Sequence, residues 1–304
     1  VISVAITSSR ADGVAAVSID YARCIGCQQC VSVCKGAPLY WENDQVAVDQ
    51  TRGFGCFGCG HCMAVCPQDC ISVTGRCMSP EDVVQLPDAN PAEYNQLFHL
   101  MQKRRSIRHF TDQEVSSEVI EQILAAAVTA PIGVPPSEVS VSVFAGRDRV
   151  KQFTGDLIAQ VRSSKWLFST PMRGLMRIFM GKAVYRSFIS FVPALFTTLD
   201  QKDQQGEDWL FYQAPLVMVF HASSFGEPVD ADIAATYAVL AAESLGLGSC
   251  MIGSVAPLLK NSRQLKEKYG IPAANKVGLT VIFGYPAVNY RRALRRSFAD
   301  VNFV

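Results

Sequence analysis

Four cysteines, Cys24, Cys27, Cys30 and Cys34, stand in the stretch CIGCQQCVSVCKG, and their spacing returns at Cys56, Cys59, Cys62 and Cys66 in CFGCGHCMAVCP. Each cysteine of the second run lies 32 residues after its counterpart, an internal duplication kept in register. Thiols at this spacing can pair as disulfides, hold zinc, or hold an iron–sulfur cluster. A zinc site normally closes with four Cys or His ligands in two separated pairs. Three cysteines at two-residue gaps plus a fourth are what a cubane of iron and sulfide needs. Disulfides fit less well still, because close Cys-x-x-Cys pairs in a reducing compartment are more often metal or redox sites than structural staples.

The two runs resemble the bacterial two-cluster ferredoxin family. Pro67 follows the fourth cysteine of the second run as in that family, whereas Lys35 takes this place in the first run and the proline is displaced to Pro38. In the family the fourth cysteine crosses over. The resemblance therefore implies one 4Fe-4S cluster on Cys24, Cys27, Cys30 and Cys66, and another on Cys56, Cys59, Cys62 and Cys34. Short strands near Val46 to Val48 and Ile71 to Val73 fit such a domain. GFGCFG, residues 53 to 58, matches G-x-G-x-x-G formally, but it sits inside a cysteine loop with no strand before it or dinucleotide-type helix after it, and reads as no nucleotide fingerprint. Cys70 and Cys77 fall outside the eight and read as small packing residues. His61 reads as a loop residue at the cluster surface.

A second chemical group is RRSIRHF, residues 104 to 110, where Arg104, Arg105, Ser106 and Arg108 crowd together. Read alone, it is either a solvated charge run or a phosphate clamp. Guanidinium forks match phosphate oxygens bidentately, and a serine hydroxyl adds a neutral donor.

The elements that must position these groups are legible around them. AEYNQLFHLMQKR places Tyr94, Leu97, Leu100 and Met101 on one helical face and leads straight into the arginines. TDQE, residues 111 to 114, offers a capping-box pattern before a helix whose buried face is Val119, Ile120, Ile123, Leu124, Ala127 and Val128. VSVSVFA alternates as a strand, PLVMVFH and VGLTVIFGY read as buried strands, and ADIAATYAVLAAESLGLG reads as a small-residue helix closing on glycines that permit close backbone approach. Together they predict an α+β domain with a central antiparallel or mixed sheet and surrounding helices.

In this order the elements of residues 91 to 304 resemble the FMN-dependent nitroreductase family, most strongly at RRSIRHF, AAESLGLGSCMIG and GYP. The resemblance implies FMN as cofactor. It implies that Arg104, Arg105, Ser106 and Arg108 hold its phosphate and ribityl chain, and that backbone amides at Met251, Ile252 and Gly253 face its ring. It also implies a late arginine that closes the phosphate site. Arg291, Arg292, Arg295 and Arg296 compete for that role, with Arg292 and Arg295 taken as the candidates. Where the family commonly has an asparagine that contacts flavin, APIGVPPS has Pro135, which cannot donate a side-chain hydrogen bond; Ser137 is a substitute contact. Cys250, beside the implied flavin, and His221, at a strand end, read as packed core residues.

The expected domains are a two-cluster ferredoxin-like domain over 1–80, a proline-rich and acidic connector over 81–90, and the flavin domain over 91–304. The expected function is an oxidoreductase passing electrons through two 4Fe-4S clusters to FMN, which reduces a small electron-poor acceptor: a nitroaromatic, quinone, activated alkene or halogenated ring. The alternative is a non-catalytic electron carrier or redox sensor. The donor is a reduced ferredoxin or similar carrier, or NAD(P)H, and the resemblance implies a homodimer. A net charge of +1 over 304 residues argues against a broad nucleic-acid footprint. VISVAITSSR lacks the pattern of a signal peptide, which predicts a cytoplasmic, thiol-preserving setting. The apolar stretch from Trp166 to Leu199 is interrupted by Arg173, Arg177, Lys182 and Arg186, so it predicts no transmembrane helix but a lid, an interface or a membrane-surface contact.

Overall fold

The computed structural model describes residues 6–87, 92–227 and 229–304. Residues 88–90 of the expected connector at 81–90, the expected domain start at Pro91 and the initial VISVA lie outside the described residues. The chain divides into two compact units. One comprises Val1–Pro91, Pro131–Val139 and Ala222–Asp230, and the other Ala92–Ala130, Ser140–His221 and Ala231–Val304.

The first unit contains β1 (Ala16–Ile19), α1 (Gln29–Val33), β2 (Leu39–Glu42), β3 (Gln45–Val48), α2 (His61–Val65) and β4 (Ile71–Thr74). β1 pairs antiparallel with β4, from Ala16 opposite Thr74 to Ile19 opposite Ile71. β2 and β3 form a hairpin whose two turn residues, Asn43 and Asp44, both have positive φ, the left-handed conformation that a two-residue hairpin turn demands and that Asn and Asp tolerate. The duplication read in the cysteines repeats in the backbone. Gln28 and Gly60 are both left-handed immediately before α1 and α2, each one-turn helix carries the third cysteine of its run, and the fourth cysteine leaves the helix in extended conformation. Gly53 has φ +56°, and a Cβ there would stand 2.5 Å from the Gly36 carbonyl oxygen, so this glycine serves loop packing.

The apolar core of this unit is small: Ala15, Leu39, Val46, Met63, Ile71 and Val73 pack with Cys62. Buried Arg76 adds a polar tie, donating to the carbonyls of Gly13 at 2.8 Å, Phe57 at 3.0 Å and Pro135 at 3.2 Å. Glu138, also buried, accepts from the Ser9 and Ser223 hydroxyls and the Arg10 amide. Burial works to raise its pKa, but these bonds prevail and hold the carboxyl below its ordinary value.

The second unit contains α3 (Tyr94–Lys103), α4 (Ser117–Ala127), β5 (Val139–Ala145), α5 (Arg147–Ser163), α6 (Thr170–Phe179), α7 (Lys182–Gln204), β6 (Leu216–Ala222), α8 (Asp230–Ser244), β7 (Gly248–Ile252), α9 (Val255–Lys260), α10 (Arg263–Lys268) and β8 (Lys276–Gly284). The strands form one sheet in the order β5-β6-β8-β7, with β7 and β8 antiparallel. Every residue of β6 is buried, as its unbroken apolar run predicts. Phe153 of α5 stacks on Phe144 of β5 with centroids 4.1 Å apart, and Tyr269 meets both rings edge-on.

Two expectations need correction. The cap of α4 is Ser116, whose hydroxyl accepts from the Val119 amide, and not the TDQE pattern. Glu114 is instead paired with Arg147, which also takes the carbonyls of Thr111 and Asp112. The buried face of α4 is accordingly narrower, centred on Ile123 and Ala127, with Val128 exposed. The apolar face of α3 exists, but none of that helix is buried, and Tyr94, Leu97 and Met101 are exposed.

RRSIRHF crosses the end of the sheet. Ser106 bridges Ser249 in parallel fashion, and the Ile107 amide donates to the Ser249 carbonyl at 2.9 Å. This crossing requires Gly248, since a Cβ there would stand 2.5 Å from Ile107 Cγ1 and 2.7 Å from Ile107 Cβ. Farther on, buried Asp200 of α7 receives Arg162 Nε of α5 at 2.6 Å and also Lys165, fastening the two helices together. Bonds from Lys165 and Arg162 hold its pKa below the ordinary 3.8.

Gly248→Ala is expected to lower unfolding free energy by about 1–3 kcal/mol through overpacking. Adding Ile107→Ala should recover part of the loss, as read by denaturant midpoints. For Asp200, whose pKa is depressed on folding, the stabilisation is present above its ordinary pKa and disappears as pH falls through the lower folded value. The stability difference between the natural chain and Asp200→Asn should therefore be present near neutrality and shrink in acid, measured by unfolding at a series of pH values.

Candidate cofactor sites

The eight duplicated cysteines gather around two cavities of the first unit, and not by run. One is lined by Cys24, Cys27, Cys30 and Cys66, and the other by Cys34, Cys56, Cys59 and Cys62. The crossover follows from the local fold: the first three cysteines of a run wrap a loop and a one-turn helix, while the fourth leaves in extended backbone. Among the described residues no three His, Cys, Asp or Glu side chains converge as a single metal ion requires. The thiols ring a space, which suits a polynuclear cluster.

Two further features bear on the fit. Backbone amides point at the sulfurs: Val31 at Cys30, Gly58 at Cys56, Met63 at Cys62, and both Cys70 and Gln68 at Cys66. Such bonds favour the thiolate and tune a cluster bound to it. In the absence of a cation, burial first and neighbouring thiols second push Cys62 up to about 12, with Cys56 and Cys30 also raised. Crowded thiols with amides aimed at them are a set that iron completes, because coordination deprotonates the sulfur outright. Cys70, read as packing, is buried in the first cavity wall with its sulfur 3.5 Å from that of Cys66. Cys77 is exposed, and His61 opens α2 at the rim of the second cavity.

In the second unit the arginine strip forms a positive knot. Half-burial, then Arg296 and Arg105, push the Arg104 guanidinium below its ordinary pKa, and Glu243 offsets only part of this. Arg105 spends Nη1 on the Arg104 carbonyl at 2.8 Å, while its Nη2 is buried without a partner, as is the hydroxyl of Ser249 across the bridge from Ser106. A buried donor without an acceptor is costly, and an anionic ligand with several oxygens supplies what this strip lacks. Among the late arginines it is Arg296 whose charge bears on Arg104. Arg291, Arg292 and Arg295 lie exposed on the same terminal stretch. The signal for Arg296 was absent from the sequence, where four arginines within six residues are equivalent.

Arg108 points elsewhere, with its guanidinium 5.7 Å from the centroid of the Tyr212 ring. It shares with Met251, Ile252 and Gly253 the wall of a cavity of about 560 Å³. The facing wall is apolar and aromatic, built by Phe188, Phe191 and Phe196 of α7 with Phe168 and Trp209. The sequence offered this segment as a lid, an interface or a membrane-surface contact without marking its phenylalanines as a cavity wall, although those of residues 188 to 196 recur at helical spacing. Gly253 is exposed there, and nothing would meet a Cβ built on it, so the site is open to a ligand.

The APIGVPPS loop belongs to the first compact unit. The Pro135–Pro136 peptide is cis, the Pro135 carbonyl accepts from Arg76, and the Ser137 hydroxyl accepts from the Val139 amide at 3.2 Å. Cys250 is buried in the apolar core, and His221 is buried between Asn275, at 2.9 Å, and Ser142, at 3.3 Å. Burial, with Lys266 adding to it, lowers its pKa and keeps the ring neutral.

The sequence model of the nitroreductase family matches residues 101–285, and that of a 4Fe-4S dicluster domain matches residues 16–67. An FMN reductase [NAD(P)H] of Bacillus subtilis (strain 168) is 28% identical over 197 residues, 64% of this chain and 67% of that protein. A crystal structure of a nitroreductase with bound FMN from Bacteroides fragilis NCTC 9343 aligns at a TM-score of 0.51 and 17% identity, covering 69% of this chain and 98% of the other. One from Desulfitobacterium hafniense DCB-2, also with bound FMN, aligns at 0.51 and 19%, covering 70% and 100%. These structures share their fold with about two thirds of this chain.

The cavities predict how iron is lost. Cys34→Ser with Cys56→Ser, drawn from different runs, should leave about half the iron of the reconstituted protein. Cys24→Ser with Cys34→Ser, drawn from one run, should abolish both sites. Iron and sulfide analysis distinguishes this from run-by-run ligation, which reverses the two results.

Proposed function

Since the chain belongs to the nitroreductase family, we propose that it is an FMN-dependent oxidoreductase fed through two 4Fe-4S clusters, which delivers electrons to a small electron-poor acceptor. A nitroaromatic, quinone, activated alkene or halogenated ring fits this description. Residues 1–80 serve electron entry, 81–90 connect, and 91–304 serve the flavin. The observation that carries the reading is the knot of Arg104, Arg105 and Arg296, with a buried unpaired donor, on a strip whose Arg108 borders an open apolar cavity.

Bound clusters would supply single electrons, and a bound FMN would supply two-electron chemistry, two electrons with one proton making a hydride equivalent. The chain's own residues do the rest. Arg104, Arg105 and Arg296 neutralise the phosphate, Ser106 adds a neutral donor, and Arg292 and Arg295 lie on the same terminal stretch as an outer rank of charge. Met251, Ile252 and Gly253 offer backbone to the ring, and Arg108 stands at the cavity edge where negative charge grows on an acceptor. The aromatic wall excludes water and stacks a flat acceptor. Cys24, Cys27, Cys30 and Cys66 hold one cluster, and Cys34, Cys56, Cys59 and Cys62 the other. Eleven cysteines that form no disulfide, eight of them assigned to clusters, favour a cytoplasmic setting, and the family resemblance favours a homodimer. A carrier or sensor role is the second reading, favoured by Pro135 in the loop where the family has an asparagine; the size of the cavity favours turnover.

The test is an anaerobic spectral titration with NADH, NADPH and then a reduced low-potential ferredoxin, following flavin bleaching. Bleaching by ferredoxin alone is the expected result, and rapid bleaching by a nicotinamide would make the clusters an exit or a store. Arg104→Ala with Arg105→Ala should lose most of the flavin with iron content unchanged. Undiminished flavin in that variant would overturn the clamp.

A further inference from the structure

Residues 157 to 199 contain six basic residues and no Asp or Glu, in a chain whose net charge is +1. Two of the six, Arg162 and Lys165, are paired with Asp200. Arg173, Arg177, Lys182 and Arg186 are exposed and, among the described residues, have no acidic partner. The same stretch exposes large apolar side chains. Ile178 and Phe179 at the end of α6 are 77% and 80% exposed, and Trp166, Leu175 and Val184 are exposed beside them. Isolated apolar residues on a surface need no explanation, but five within twenty residues, interleaved with four unpaired cations, form a patch with a chemical character. α6 is strongly amphipathic, with Arg173 and Arg177 one turn apart on one edge.

We infer that α6 and the start of α7 dock on an anionic lipid surface, lying in the headgroup layer without crossing it. No helix among the described residues is long and apolar enough to span a bilayer. A helix with basic residues on one side and Phe, Leu and Ile on the other has the make-up of an interfacial helix, its apolar side chains entering the acyl boundary while arginines reach phosphate headgroups. Charge argues against a second copy as the occupant. A two-fold contact sets the same patch against itself, here bringing four unpaired cations of each copy together with no acid in the segment to separate them. An acidic protein partner would satisfy the cations but leave Ile178 and Phe179 without the apolar phase they call for. Phe191, which lines the large cavity, is itself 63% exposed, so that cavity opens within the same segment. The docking inference does not depend on the flavin reading.

The test is flotation of the holoprotein with vesicles of phosphatidylcholine, with and without phosphatidylglycerol. Binding is expected only with the anionic lipid and should fall as salt rises. Arg173→Ala with Arg177→Ala should weaken partition about thirty-fold. Ile178→Ser with Phe179→Ser should weaken it while flavin and iron content stay at wild-type values. Failure to float with anionic vesicles overturns the inference. So does a dimer, measured by analytical ultracentrifugation, that the Ile178→Ser, Phe179→Ser variant converts to monomer, because the patch is then an interface between copies.

Discussion

The contact on which the second unit's chemistry depends is the passage of Ile107 over Gly248. Only a residue without Cβ lets the arginine strip lie this close to β7, and the Ile107 amide then locks onto the Ser249 carbonyl. β7 is in turn held by β8, residue for residue from Gly248 opposite Gly284 to Ile252 opposite Thr280. The strip therefore inherits the rigidity of the sheet. Arg104 and Arg105 fall on one side of the crossing, and Arg108 falls at the mouth of the cavity that Met251 to Gly253 help to form. A single backbone hydrogen bond and a missing methyl group fix the distance between the arginine knot and the large apolar cavity.

The first unit rests on a different balance. Its fully buried apolar core is a handful of side chains, with partly buried Val17, Ile19, Val31, Trp41, Val48 and several of the cysteines packed around it. Its cysteines face inward with amides trained on their sulfurs, an arrangement that carries repulsion and desolvation until a cation arrives. Metal binding in such a unit is folding free energy, because the ligand set has no counterpart in the unfolded chain. The polar ties of Arg76 and Glu138 hold the backbone around this centre, and the Arg76 charge also favours the Cys56 thiolate.

Much of this was legible in the sequence because it was written in spacing. The cysteine repeat, the buried run of β6 and the small-residue helix ending in glycines are local patterns with one physical solution. What escaped was decided by competition between distant residues. TDQE has the makings of a cap, but Arg147 claims Glu114 from across the fold. The four late arginines are indistinguishable until the terminal stretch is laid down and Arg296 meets Arg104. The face of α3 was readable as apolar, but periodicity says only that a helix has such a face and not that anything covers it. The aromatic wall of the cavity is helical periodicity of an ordinary kind, and only the tertiary fold reveals that it borders a space.

The three tryptophans divide the molecule among themselves. Trp41 lies against Gly26, between the first two cysteines of the first run, Trp166 is exposed beside α6, and Trp209 lines the large cavity. Indole emission shifts with polarity and is quenched by nearby chromophores that absorb where it emits. The protein thus carries one intrinsic fluorophore against the first cysteine loop, one on the exposed basic patch and one on the wall of the large cavity. Replacing any two with phenylalanine leaves a single-colour reporter of the third region, with no label attached.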